Sequence, residues 1–281
     1  MSMRILITGS SGHLGAAIAE QLTQEHQPIG LDLTSGRWTR YVGDITEREL
    51  IWRAVRGVDA IIHTASLHQP QMATHSRQQF ITSNISGTLN LLEAAVQHGV
   101  SRFVYTSTTS LYGRALEPRD KAVWVSEDLA PQPRDIYDIT KIAAEELCRD
   151  IALSTGLAVT CLRVARFFAQ TPRLQALYRL YRGVDVRDAA RAHVLAVNSQ
   201  GGAFDILNIS ASSPFQQSDL SLLLSDPAVV LRRRTPHVVE AFAQRGWPLP
   251  TSIDRVYDIT RAKHHLGYQS IYGFDECLRE H

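Results

Sequence analysis

Thr8-Gly9-Ser10-Ser11-Gly12-His13-Leu14-Gly15 stands between a short apolar run, residues 4–8, and an Ala-, Leu- and Ile-rich stretch over residues 13–25. The run reads as a strand and the stretch as a helix, so the glycines fall in a strand-to-helix turn. In such a turn Gly9 permits the tight reversal, Gly12 lets backbone approach a pyrophosphate, and Gly15 lets the helix lie close to the strand. The helix N-terminus adds N–H donors for an anion. Asp32 ends the next candidate strand, residues 28–32, where a carboxylate can accept from an adenosine ribose hydroxyl and repel a 2′-phosphate. NAD is therefore expected in preference to NADP, with Arg37 the nearby group that a 2′-phosphate could use.

Working outward, residues 40–43 read as a third, shorter strand and residues 46–55 as a helix, with Thr46 as N-cap and Glu49 completing a capping box. Strand four spans 59–63, a long helix spans 76–98 before Gly99, and strand five spans 102–107. A helix over 133–155 closes at Gly156 and leads into strand six, 157–164. Parallel strands need helical crossovers, so this alternation predicts an α/β fold, a Rossmann-type doubly wound parallel sheet. Residues 1–165 are expected to form the NAD-binding half and 166–281 a smaller C-terminal substrate-binding part. The helix over 186–197 is expected to pack back on the first half.

Composition narrows the class. An apolar fraction of 44% with 20% charged residues excludes wholesale disorder. Lys plus Arg total 29 against 28 for Asp plus Glu, so no global field points to nucleic acid or an anionic membrane. Cys148, Cys161 and Cys277 are odd in number and far apart, which fits a reducing cytoplasm better than a disulfide scaffold. No apolar run approaches the ~20 residues that cross a bilayer. The run after Arg4 breaks off at Thr8 and Gly9, unlike a signal peptide. His63, His68 and His75 lack the spacing of metal ligands, so no metal is expected. Arg232, Arg233 and Arg234 read as a solvated turn, and no Gly-x-Ser-x-Gly elbow supports hydrolysis.

Tyr137 and Lys141 lie four apart near the start of a predicted helix, hence on one face. There the ammonium is expected to lower the phenol's pKa, letting Tyr137 exchange a proton with a substrate hydroxyl while nicotinamide exchanges the hydride. Thr106, Ser107, Thr108 and Thr109 end strand five, where parallel strands meet a ligand crevice. With these residues together, the chain resembles the extended short-chain dehydrogenase/reductases of the NAD-dependent epimerase/dehydratase family over about residues 4–165, and again at 184–193.

The resemblance implies a cofactor set. Gly9, Ser11, Gly12, His13 and Leu14 would follow the pyrophosphate, Asp32 the adenosine ribose, and Asp44 and Ile45 the adenine. His63, Thr64, Ala65, Thr106 and Ala165 would lie along the dinucleotide, and Asn84 under the active site. Thr108, Tyr137 and Lys141 would form the catalytic triad, Lys141 also holding the nicotinamide ribose. Ser66, Thr108, Thr109 and Arg166 would meet the substrate. Dehydratases of the family carry Asp-Glu after the triad threonine; here Thr109 and Ser110 stand instead, which argues against water elimination. The segment that holds a nucleotide in sugar-nucleotide epimerases looks shortened between Arg166 and the motif at residue 184, which argues against a UDP- or TDP-sugar.

Arg166, followed by Arg173, Arg179 and Arg182, points to a small sugar-like secondary alcohol bearing an anionic group. An NAD-dependent sugar epimerase is the close alternative, and a non-catalytic NAD(P) sensor is the rival from another class. A homodimer is expected through the helices over 76–98 and after Pro133, the latter carrying Ile142, Leu147 and Ile151.

Overall fold

A computed structural model describes residues 2–280. Its strands are β1 (Arg4–Thr8), β2 (Gln27–Asp32), β3 (Thr39–Val42), β4 (Ala60–His63), β5 (Arg102–Thr108), β6 (Val123–Val125), β7 (Ala158–Val164), β8 (Phe204–Ile209) and β9 (Arg255–Tyr257). Seven of them form one parallel sheet in the order β3-β2-β1-β4-β5-β7-β8, while β6 pairs with β9 apart from it. The order reverses between β1 and β4, and that switch point opens a crevice at the strands' carboxyl ends. The sheet is of the Rossmann type.

The alternation of side chains along each strand divides the core. Ile5 and Ile7 of β1 pack on one face with Ile18 and Leu22 of α1 (His13–Leu22). Leu6 packs on the other, with Ile51 and Val55 of α2 (Arg48–Val55). Behind α2 come α3 (Arg77–Ile81), α4 (Gly87–Gln97) and α5 (Ile136–Thr155), followed by α6 (Pro172–Arg179) and α7 (Val186–Asn198). A third cluster, including Leu180, Leu223, Phe242 and Ile253, forms the core of the C-terminal part.

Three features differ from the sequence reading. α2 starts at Arg48 rather than Thr46, because Asp44 accepts from the Thr46 N–H and the Glu47 carboxylate accepts from the Asp44 N–H, forming a turn first. The helix expected over 76–98 contains a π-helical segment, residues 82–86, joining α3 to α4. The sheet also crosses residue 165, because β8 pairs in register with β7. Apart from these differences, α7 packs beside α1, its Ala189, Ala192 and Ala196 sharing that face's core.

Candidate active site

A cavity of about 660 Å³ opens over the switch point. Gly9, with φ of 75°, turns the chain at its floor; a Cβ there would meet Thr64 Oγ1 at 2.6 Å and the Ala65 nitrogen at 2.9 Å. A Cβ on Gly15 would lie 2.0 Å from the Gly9 carbonyl, so only glycine lets α1 start this close to the turn. Gly12, the N-cap of α1, provides no side-chain cap, leaving first-turn N–H groups for an anion. Gly12, His13 and Leu14 line the cavity, as do Asp32, Asp44 and Ile45. Ser11 does not: its N–H donates to the Asp32 carboxylate at 2.9 Å and its hydroxyl to the Thr34 carbonyl. Cradle, helix terminus and terminal carboxylate together fit a dinucleotide.

Thr64, Ala65 and Ser66 continue the wall beyond β4. His63 is withdrawn from it, against expectation. Its Nδ1 pairs with the Thr8 hydroxyl at 2.7 Å and its Nε2 with that of Thr88 at 2.9 Å. Burial, reinforced by the Lys141 charge, pushes its pKa down to about 3, so His63 is a neutral strut between β1 and α4. Asn84 is also buried and absent from the wall. Its amide donates to the Leu67 carbonyl and Thr140 hydroxyl and accepts from the Leu67 N–H. The π turn aims it there, so it fixes the loop after β4 against α5.

Asp135 caps α5 by accepting from the Asp138 N–H, and Tyr137 and Lys141 follow on the cavity side. Lys141 donates to the Thr106 carbonyl at 2.6 Å and the Ser66 hydroxyl at 3.4 Å. Its desolvation lowers the ammonium to about 8, against a smaller opposing pull from Glu145. Tyr137 shares a hydrogen bond with the Thr108 hydroxyl. The expected lowering of the phenol is not found. Burial pushes it up to about 12; the Thr108 bond opposes this, and the Asp138 and Asp135 carboxylates add to it. Thr106 contributes only its carbonyl to Lys141, since its hydroxyl is engaged by His193 Nε2 at 2.9 Å. Thr109, Ala165 and Arg166 line the cavity.

The arginines separate. Arg179 is buried against Asp185, and Arg173 donates to the Pro248 carbonyl; neither lines the cavity. Arg166, Arg182 and Arg255 do. Arg255, on β9, was not anticipated, nor were Arg134 and Ser110, which also line it. Arg233 and Arg234 of the basic triplet, read as solvated, both pair with the buried Asp219. Among the described residues no cluster of His, Cys, Asp and Glu could hold a metal, and no helix is long and apolar enough to cross a membrane.

Residues 5–182 match the model of the NAD-dependent epimerase/dehydratase family. The chain belongs to that family. It is 29% identical over 259 residues to a GDP-6-deoxy-D-mannose reductase of Pseudomonas aeruginosa, with 82% of each chain covered. It is likewise 29% identical over 173 residues to a UDP-glucose 4-epimerase of Azospirillum brasilense, covering 58% of this chain and 48% of that one. The fold is shared with a short-chain dehydrogenase/reductase superfamily protein of Agrobacterium tumefaciens with bound NAD, at a TM-score of 0.73, 23% identity, and coverage of 99% and 95%. It is shared too with the UDP-glucose 4-epimerase of Thermotoga maritima, at a TM-score of 0.74, 21% identity, and coverage of 99% and 96%. At these identities the likeness is one of fold. An enzyme of the short-chain dehydrogenase/reductase type, with NAD as cofactor, is what the family membership carries.

Proposed function

We propose that the chain is an NAD-dependent oxidoreductase acting on a secondary alcohol of a sugar-like substrate that bears an anionic group. One observation carries the anionic part: Arg166, Arg182 and Arg255 line the same cavity as Tyr137 and Thr108. Arg182 and Arg255 share the Asp254 carboxylate, whereas Arg166 has no acidic partner among the described residues; three guanidiniums against one carboxylate leave the wall positive, and Arg166 can grip a carboxylate or phosphate bidentately. Bound NAD supplies the hydride acceptor. Thr108 orients the substrate hydroxyl, Tyr137 takes its proton, and Lys141 presents its ammonium to a ribose.

The test is a screen of sugar acids, sugar phosphates and nucleotide sugars for NADH formation, with sugar analysis for epimers. Arg166→Ala is expected to raise the KM of the best anionic substrate about 10-fold or more. A neutral sugar as best substrate, with an unchanged KM in Arg166→Ala, overturns the reading. Epimerisation is the second reading. It is supported by the 29% identity to the Azospirillum UDP-glucose 4-epimerase over 58% of this chain.

Cofactor choice follows from Asp32. Its carboxylate lines the cavity while fixed by the Ser11 and Thr34 N–H groups. Arg37, the candidate for a 2′-phosphate, instead pairs with Glu20 at 2.9 Å and stacks on Trp38, outside the cavity wall. Asp32→Ala is expected to weaken NAD binding about 10- to 100-fold and to erase selectivity over NADP. Titration of the protein with both cofactors checks this, and tighter NADPH binding by the wild type contradicts it. A second copy of the chain remains the proposed protein partner. Ile142, Leu147 and Ile151 pack inward, but Ile81, Val96, Ile139 and Leu153 leave apolar surface on α3, α4 and α5 exposed.

A further inference from the structure

Arg134 sits just before the cap of α5, and its partners are unusual for a surface arginine. Asp138, whose side chain is 0% exposed, accepts from the Arg134 N–H at 3.1 Å and from its Nε at 3.4 Å. Asp138 also accepts from the Ser110 hydroxyl at 2.7 Å. Ser110 in turn receives Arg134 Nη2 at 3.1 Å on its hydroxyl, and its N–H donates to Thr108 Oγ1 at 3.1 Å. Thr108 is the hydroxyl bonded to Tyr137. Ser110 therefore ties the guanidinium directly to the pair that would handle the substrate hydroxyl. Arg134 lines the cavity, and its Nη1 has no acceptor among the described residues.

A helix cap alone does not explain this arrangement. Asp135 already caps α5, and a carboxylate taken wholly out of water costs several kcal/mol unless a cation and hydrogen bonds compensate it. Among the described residues the only cation paired with Asp138 is the arginine of the cavity wall. Arg166, Arg182 and Arg255 come from a different part of the chain, at the end of β7, ahead of α7 and on β9, so Arg134 is a separate cationic position.

We propose that Arg134 selects substrates whose anionic group lies beside the carbon presented to Tyr137 and Thr108, with Asp138 and Ser110 as the positioning residues that hold its guanidinium. This rests on the anionic-substrate reading above and assigns the group that reads the anion near the reacting carbon. Arginine suits the task because its planar fork keeps one edge on Asp138 and Ser110 while another meets an oxyanion.

The test titrates the NADH complex of the full chain with D-glucuronate, D-gluconate, D-glucose 6-phosphate and neutral D-glucose, following NADH fluorescence. The wild type is expected to bind at least one of the anions more tightly than glucose. Arg134→Gln should weaken that anion about 10- to 100-fold while leaving glucose and NADH affinities as they were. Arg134→Lys should regain only part of the loss, and in both variants the loss should be confined to the anions, which a purely structural role would not produce. Asp138→Asn, or Ser110→Ala should the former fold poorly, should lose a smaller part in the same selective way. If the wild type prefers an anion and Arg166→Ala loses that preference while Arg134→Gln keeps it, this assignment is wrong and the anionic reading survives. If no anion binds better than glucose, both fall.

Discussion

Tyr137→Phe is expected to lower kcat by about 10²- to 10⁴-fold while NAD binds as in the wild type. Phenylalanine keeps the ring in its half-buried place and removes only the oxygen that faces Thr108. The same variant separates an enzyme from a sensor, because a sensor would lose nothing measurable in turnover. The pH profile adds a sharper expectation. Lys141 holds its proton below about 8 and gives it up above, whereas Tyr137 stays a phenol up to about 12. Between those limits the pair has lost one proton, nominally from the lysine. The arrangement with a phenolate and an ammonium has the same proton count, so it titrates in together with that loss. Alcohol oxidation needs the phenolate, and ketone reduction needs the phenol beside the ammonium. Oxidation is therefore expected to rise, and reduction to fall, as pH increases through about 8. Measurement of kcat/KM at saturating cofactor from pH 6 to 10 in both directions checks this, and flat profiles would contradict it.

What the sequence discloses about this site depends on how locally each feature is encoded. The glycine turn, the terminal Asp32 and the Tyr137–Lys141 pair lie within short windows, and each takes its meaning from the strand or helix it borders. Those elements also established the sheet and the cofactor crevice. The family resemblance implied a place for His63 along the dinucleotide, but an imidazole at the end of β4 can turn inward, and the Thr8 and Thr88 hydroxyls occupy both its nitrogens. Arg134 and Arg255 went unnoticed because only tertiary structure brings a residue before α5 and one on β9 to the same cavity. β8 was missed for a related reason: in Phe204-Asp-Ile-Leu-Asn-Ile209 an Asp and a buried Asn interrupt the apolar run. The Asn is explained by its partners, since Asn208 accepts from the Tyr112 hydroxyl and donates to the Val125 carbonyl. One signal was available for Ser110 and Arg134. Asp138 directly follows Tyr137 on a helix that enters the core, and a carboxylate in that position needs a cation close by.

Glu145→Ala is expected to destabilise the fold by about 3–5 kcal/mol. Glu145 lies one turn beyond Lys141 on α5 and is 1% exposed. Its two oxygens take Nε and Nη2 of Arg163 at 3.0 and 2.7 Å, and the Ser107 hydroxyl donates to one of them at 2.5 Å. Arg163 Nη1 continues to the Tyr112 hydroxyl at 3.0 Å. The burial cost on Arg163 is outweighed by the Glu145 hydrogen bonds and charge, which hold the guanidinium firmly protonated. Removing the carboxylate strands that charge in the core. Removing both charges does not, so Glu145→Leu with Arg163→Leu should be markedly more stable than Glu145→Ala, despite being the larger change. Urea midpoints for the two variants measure the difference; a single-variant loss below about 1 kcal/mol would show that the pair is not an uncompensated charge in waiting. Function separates from stability in the double variant. The network ties α5 to β5 and β7 beside the point where Lys141 meets the Thr106 carbonyl. A leucine pair fills the space without that directional bond, and the helix that carries Tyr137 and Lys141 loses its register against β5. The double variant is therefore expected to recover stability while retaining a reduced kcat, and wild-type turnover in it would limit the ion pair to a purely structural role.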